Sequence, residues 1–134
     1  MKYFICVLAD MNLGIPAERT ERIIPVTRGQ TRVFETENED AFISIPALFR
    51  QNAIPVPHGL VLKPGPATCK WQGKTTLLTP KVDIDLEIPE EKIHPLPESF
   101  SGLYSFFRGA CFSGSGDDLI LIVDPEKLII QQSK

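Results

Sequence analysis

Four times in this chain an apolar run gives way to a proline, at Ile15-Pro16, Ile45-Pro46, Ile88-Pro89 and Asp124-Pro125. Proline has no amide hydrogen to give to a sheet ladder, but its fixed φ suits the first position of a helical turn. Each site therefore predicts a strand that leaves a sheet through a tight corner. The clearest is Leu119-Ile120-Leu121-Ile122-Val123-Asp124-Pro125-Glu126. Five apolar residues suit a strand buried on both faces. Asp124 then stops the strand and caps a helix, accepting bonds from the free amides of the first turn. Glu126 sits at the positive end of the helix dipole. The corners recur at irregular spacings of about 30 to 43 residues, so they are not a tandem repeat. They suit small β-barrels. No strand–long helix–strand pattern occurs, which excludes the common parallel α/β architectures.

Between the corners the chain reads as short strands. Tyr3–Leu8, Leu13–Ile15, Ile23–Val26, Ala41–Ile45, Gly59–Lys63 and Leu119–Val123 are apolar and β-rich. Residues 17–22 are compatible with a charged surface helix. Thr31–Phe34 is a further possible strand, followed by an acidic loop of Glu35, Glu37, Glu39 and Asp40. A hairpin is expected around Gly73, between Thr68–Trp71 and Lys74–Leu78. Val82 to Ile88 alternates strictly, with Val82, Ile84, Leu86 and Ile88 facing in and Asp83, Asp85 and Glu87 facing out. Leu103–Phe112 reads as one long strand kinked at Gly109, turning at 113–117 into the last strand. On that strand the adjacent Phe106 and Phe107 are expected to point to opposite faces, one into the core and the other under a second layer or a partner.

The chain has 134 residues and a net charge of −3, which suits one domain or two interleaved halves and argues against a nucleic-acid surface. No run approaches the ~20 apolar residues of a membrane span. Cys6, Cys69 and Cys111 are too widely spaced for a zinc or redox motif and read as thiols of a reduced, cytoplasmic protein.

Catalytic motifs are absent or incomplete. Gly73-Lys74-Thr75 has the end of a phosphate loop, but Thr68 stands where its first glycine belongs. His58 and His94 lie beside prolines with no nucleophile placed near them. Asp83, Asp85 and Glu87 are explained by a solvated strand face without a metal. The residues alone therefore predict a mainly β protein that is not an enzyme, with no cofactor and no metal.

The segment "LILIVDPEKL" (119–128) resembles the closing strand and helix of the CheW-like domain family. "LYSFFRGA" (103–110) resembles the strand before it, including the Arg-Gly step. "LEIPEEKIHPLP" (86–97), "LGIPAERTERIIPV" (13–26) and "ISIPALF" (43–49) resemble further family segments, in the family's order. The resemblance implies two small SH3-like five-stranded β-barrels packed together, with short helices including a C-terminal one. It implies a single CheW-like domain over 1–134, made of two interleaved barrel subdomains. Members are chemotaxis adaptors that bind a CheA-type histidine kinase and the cytoplasmic tips of chemoreceptors.

One region departs from the pattern. Glu37-Asn38-Glu39-Asp40-Ala41-Phe42 stands where members carry an Asn-Leu-Arg-Gly-like strand, and the family's aspartate has become Ala47 or Leu48. Altered partner specificity is therefore expected. The protein-binding candidates are Arg32, Glu35, Glu37, Glu39, Ile43, Ile45 and Phe49. The acids would select partners by charge; as the bland alternative they form a solvated loop. Two other readings stay open: a CheW-fold module acting outside chemotaxis, such as a motility regulator, and a small β-barrel enzyme.

Overall fold

The computed structural model describes residues 1–9, 11–51, 54–68, 73–97, 105–112 and 118–133, with the backbone alone at 84 and 85. Among these residues ten strands form two five-stranded mixed sheets. The first sheet has the order β8-β1-β2-β10-β9, built from β1 (Lys2–Val7), β2 (Asn12–Pro16), β8 (Val82–Glu87), β9 (Phe107–Phe112) and β10 (Leu119–Val123). The second has the order β3-β6-β7-β5-β4, from β3 (Thr20–Pro25), β4 (Phe34–Glu37), β5 (Asp40–Ser44), β6 (His58–Leu62) and β7 (Thr75–Thr79). The α-helices α1 (Ile45–Leu48) and α2 (Pro125–Gln132) follow β5 and β10.

The two sheets share one plan. Reading β3, β4, β5, β6, β7 onto β8, β9, β10, β1, β2 reproduces the strand order, and each sheet has one parallel pair at the matching place, β5 with β7 and β10 with β2. The first sheet is thus a circular permutation of the second, assembled from both parts of the chain that flank it. The corners at Pro46 and Pro125 are equivalent under this mapping. Ser44 Oγ caps α1 by accepting the Ala47 N–H at 3.4 Å, and Asp124 Oδ1 caps α2 by accepting the Glu126 N–H at 3.1 Å. The corners at Pro16 and Pro89 open 3-10 turns instead, Ala17–Arg19 and Glu90–Lys92.

The expected pair of five-stranded units is present, but strand hydrogen bonding does not close either into a barrel among the described residues. Each sheet has two edges, and the edges are successive along the chain, β3 then β4 and β8 then β9. The chain itself carries the curvature. After β8 it turns at Glu90–Lys92, and His94 bridges Ala110 on β9 with paired bonds of 2.8 and 2.9 Å. Between β3 and β4, buried Gln30 donates to the carbonyls of Arg32 and Phe42, both at 3.0 Å. A methyl at Gly109 would lie 2.7 Å from the His94 carbonyl oxygen, so this crossing needs a residue without a Cβ.

The main core lies between the sheets. Cys6, Leu13 and Ile15 of the first pack with Ile43, Leu60 and Leu77 of the second, and Leu128 and Ile129 of α2 join them. A smaller cluster gathers Tyr3, Ile5, Cys111, Ile120 and Ile122 of the first sheet with Ile88 just after β8. Phe106 and Phe107 both enter the main core, ring centroids 4.7 Å apart. Opposite pointing fails because Phe106 precedes the strand, in a turn.

Several expectations need correction. Residues 20–22 belong to β3, where pairing with β6 overrides helical propensity. The strand near 31–34 begins only at Phe34 and runs through the acids, so Glu35 and Glu37 lie on a hairpin strand. Its two-residue turn, Asn38-Glu39, has φ of 50° and 72°, as a hairpin turn of this length requires. The Gly73 hairpin is replaced: Thr68 ends a 3-10 turn, and β7 pairs with β6 and β5. Residues 69–72, 103–104 and 113–117, on which the remaining strand and turn expectations fall, lie outside the described residues, as does Cys69. On β8 a register shift opposite Tyr3–Ile5 breaks the alternation. Asp83 then pairs with Ile5 and Leu86 with Tyr3, and both side chains are exposed. Cross-strand partners share a face, so the bulge brings an acid and a leucine to the same side.

Candidate functional site: an inter-sheet cleft and its rim

The acidic hairpin is less free than its sequence suggests. The Arg28 guanidinium lies over the Phe42 ring at 4.1 Å, pairs directly with Glu37 and approaches Glu35 at 3.9 Å. Two of the three candidate acids are therefore partly neutralised by a residue nine positions or fewer upstream. Glu39 is exposed, and its carbonyl accepts the Gly73 N–H at 3.0 Å. Arg32 is exposed just before β4. Sequence reasoning missed Arg28; a basic residue facing alternating acids across a short connection was the available signal.

Ile43 and Ile45 are corrected outright as contact residues. Both are 0% exposed and packed in the main core, so neither offers surface to a partner. Phe49, by contrast, is half-buried at the mouth of a cleft. Its ring stacks on Phe107, with centroids 6.2 Å apart and planes 11° apart.

That cleft, about 570 Å³, opens between the sheets at the C-terminal ends of α1 and α2. Met11, Leu48, Phe49 and Phe106 give it apolar walls, and Arg50, Gln51, Gln131 and Gln132 a polar rim. It exists because α1 is only one turn long. The Arg50 N–H reaches back to the Ala47 carbonyl at 3.1 Å and the Gln51 N–H to the Pro46 carbonyl at 2.9 Å, which ends the helix. This termination places Arg50 at φ 60°, a left-handed conformation that costs a non-glycine residue roughly 1–2 kcal/mol. Arg50 is exposed, and its guanidinium has no partner among the described residues. Gln51 Oε1 is a buried acceptor without a hydrogen-bond donor among the described residues. The cleft thus combines apolar surface with an exposed cation and a buried acceptor, neither with a partner among the described residues.

A second apolar surface lies at the far end of the first sheet. Phe112 and Leu119 are cross-strand partners on β9 and β10, 64% and 47% exposed. Large side chains so exposed and directly opposed form a patch rather than isolated apolar residues.

Reactive chemistry is not assembled at either place. Burial pushes the Cys6 thiol up to about 12 and raises that of Cys111, which disfavours the nucleophilic thiolate. Among the described residues no three His, Cys, Asp or Glu side chains gather to hold a metal. No helix there is long and apolar enough to cross a membrane.

No protein-family model matches the chain, and no curated protein sequence matches it. Among solved structures it is similar to the scaffolding protein TtCheW from Thermoanaerobacter tengcongensis, with a TM-score of 0.66 and 16% identity over 91% of this chain and 82% of that one. At that identity the likeness is one of fold: the two mixed sheets and short helices described above are the CheW-type arrangement.

Proposed function

We propose that this protein is a non-enzymatic protein-interaction scaffold of the CheW kind, working in the cytoplasm in chemosensory or related two-component signalling. In this reading residues 1–134 act as one unit with two interleaved halves. The observation that carries it is the inter-sheet cleft, where Phe49 and Leu48 offer apolar surface and the exposed Arg50 marks the rim. Such a site suits a protein segment, with buried apolar area for affinity and a charge for register. The fold likeness to a protein named as a scaffold supports the same reading. The candidate partners are a CheA-type histidine kinase and chemoreceptor cytoplasmic tips.

The test is capture of the purified kinase and receptor tips at micromolar concentration. Binding that falls at least tenfold in Phe49→Ala and Arg50→Glu, both still folded, supports the proposal. Retention of neither partner by the wild-type protein refutes this role. One observation favours a partner outside chemotaxis. The segment expected to carry an Arg-Gly step is instead a hairpin whose acids are tied to Arg28. Unbiased capture that recovers a motility regulator and no chemosensory protein would select that second reading.

A further inference from the structure

The same helix that lines the cleft at one end is clamped at the other. Glu126 is the second residue of α2; Gln131 and Gln132 on the cleft rim belong to its last turn. At 1.5 Å per residue the two ends lie about 9 Å apart. The Glu126 carboxylate holds two segments outside the helix. Its Oε2 accepts the Ala67 N–H at 2.8 Å, in the 3-10 turn Pro66–Thr68 that follows the second sheet's β6. Its Oε1 pairs with the Arg19 guanidinium, which lies in the turn linking the two sheets. Arg19 is itself tied to the second sheet, its carbonyl accepting the Lys63 N–H at 2.8 Å and its Nη2 donating to the Lys63 carbonyl at 3.4 Å.

The shared apolar core pulls the sheets together but is not directional. Hydrogen bonds and ion pairs are directional, so they fix how α2 sits on the second sheet. The clamp is also well enclosed. The Arg19 and Glu126 side chains are only 24% and 23% exposed, and among the described residues Arg19 Nε is already buried without an acceptor. Removing the carboxylate would strand the Ala67 N–H and leave a shielded cation unpaired, so Arg19 would have to move toward water. Gly65 lies directly beneath the pair. A Cβ there would overlap Glu126 Oε1 and come within 2.7 Å of Arg19 Nη2.

We propose that Glu126 is a positioning residue: through α2 it sets the width of the inter-sheet cleft and so the affinity of that cleft for its protein partner. The inference rests on reading the cleft as the partner site. Its geometric half is tested without any partner. Nitroxide-bearing non-natural residues at positions 50 and 132, which leave the native cysteines untouched, report the width as a distance distribution by pulsed electron paramagnetic resonance. Glu126→Ala and Gly65→Ala are expected to shift that distribution by about 1–2 Å or to broaden it by as much. Glu126→Gln, which keeps an acceptor for Ala67, is expected to change it less. Circular dichroism and cooperative urea unfolding establish which variants are folded; if Glu126→Ala is not, Gly65→Ala and Glu126→Gln carry the test. Distributions identical to wild type in the folded variants overturn the proposal. A shifted distance in variants that still capture the kinase and receptor tips at wild-type affinity overturns the link to binding. Failure of the wild-type protein to bind either partner, with the distance shift intact, refutes the partner reading and leaves the positioning role supported.

Discussion

Arg108 holds Glu90 across eighteen positions of sequence: its Nη1 lies 2.5 Å from Oε1 and its Nη2 3.2 Å from Oε2, and Nη2 also donates to the Tyr3 hydroxyl at 2.9 Å. This bidentate contact ties the 3-10 turn after β8 onto β9, where the chain bends to join the two edges of the first sheet. The hydrogen bonds from Arg108 hold the Glu90 carboxyl below its usual value, and those to Glu90 raise the Arg108 guanidinium above its own. A depressed carboxylate stabilises the fold above its unfolded pKa and loses that contribution as pH falls through its folded pKa. Glu90→Gln should therefore be less stable than wild type at pH 7, and the gap should close as pH drops below about 4, the ordinary carboxylate range. Urea midpoints for both proteins between pH 7 and pH 3 check this. A gap that persists unchanged at pH 3 would mean that Glu90 acts by packing alone.

The residue beside that arginine makes a second, independent prediction. A Cβ at Gly109 would lie 2.7 Å from the His94 carbonyl oxygen and 2.8 Å from Ile93 Cγ2. Backbone cannot yield as a side-chain tip does, so Gly109→Ala should cost about 1–3 kcal/mol. A Cβ at Gly29 would meet nothing within 4 Å among the described residues, and Gly29 has no left-handed φ. Gly29→Ala should be neutral or stabilising by about 0.4–1 kcal/mol, because it restricts the unfolded chain. Denaturant titration of the two variants, side by side, measures the difference.

The contrast bears on what can be read from the residues alone. The corner at Asp124-Pro125 was legible because a cap acts between neighbours: Asp124 Oδ1 accepts the N–H groups of Glu126 and Lys127, at 3.1 and 3.4 Å. The Arg108-Gly109 step was legible as a resemblance, but its reasons, Glu90 and the His94 carbonyl, appear only once the chain is folded. The β8 bulge was hidden because alternation in 82–88 is a property of the strand, whereas register is a property of its pairing with β1. Ile43 and Ile45 were expected to be contact residues, because nothing local to a short apolar strand marks which face is covered. Their place was decided by parallel pairing of Ile43 with Leu77 and by the Ser44 cap that turns Ile45 inward. The cleft was out of reach for a related reason. Its walls come from Met11, the α1 turn, Phe106 and the end of α2, which no local pattern links.

Those two isoleucines give a clean test of core against contact. Ile43→Ala or Ile45→Ala should cost about 2–5 kcal/mol through the cavity left in the shared core. Phe49→Ala, at a half-buried site, should cost less in folding and more in binding. Urea unfolding and partner capture on the same preparations separate the two. Equal loss of stability from Phe49→Ala and Ile43→Ala would show Phe49 to be a core residue.

The exposed pair on β9 and β10 makes the last prediction. Phe112 and Leu119 face each other across the strands at 64% and 47% exposure, so the fold gains little from burying either. Replacing both with serine should therefore leave stability within about 0.5 kcal/mol of wild type, as for surface changes away from the core. What it should change is association, because an apolar cross-strand pair left in water favours contact with another apolar surface. If this end of the sheet is a second docking face, the double variant will lose partner capture without losing its urea midpoint. It will also sediment as a smaller species wherever the wild-type protein self-associates. A double variant that unfolds at markedly lower urea would instead assign the pair to the main core, against which the neighbouring Leu121 packs, and the surface reading of this end would be wrong.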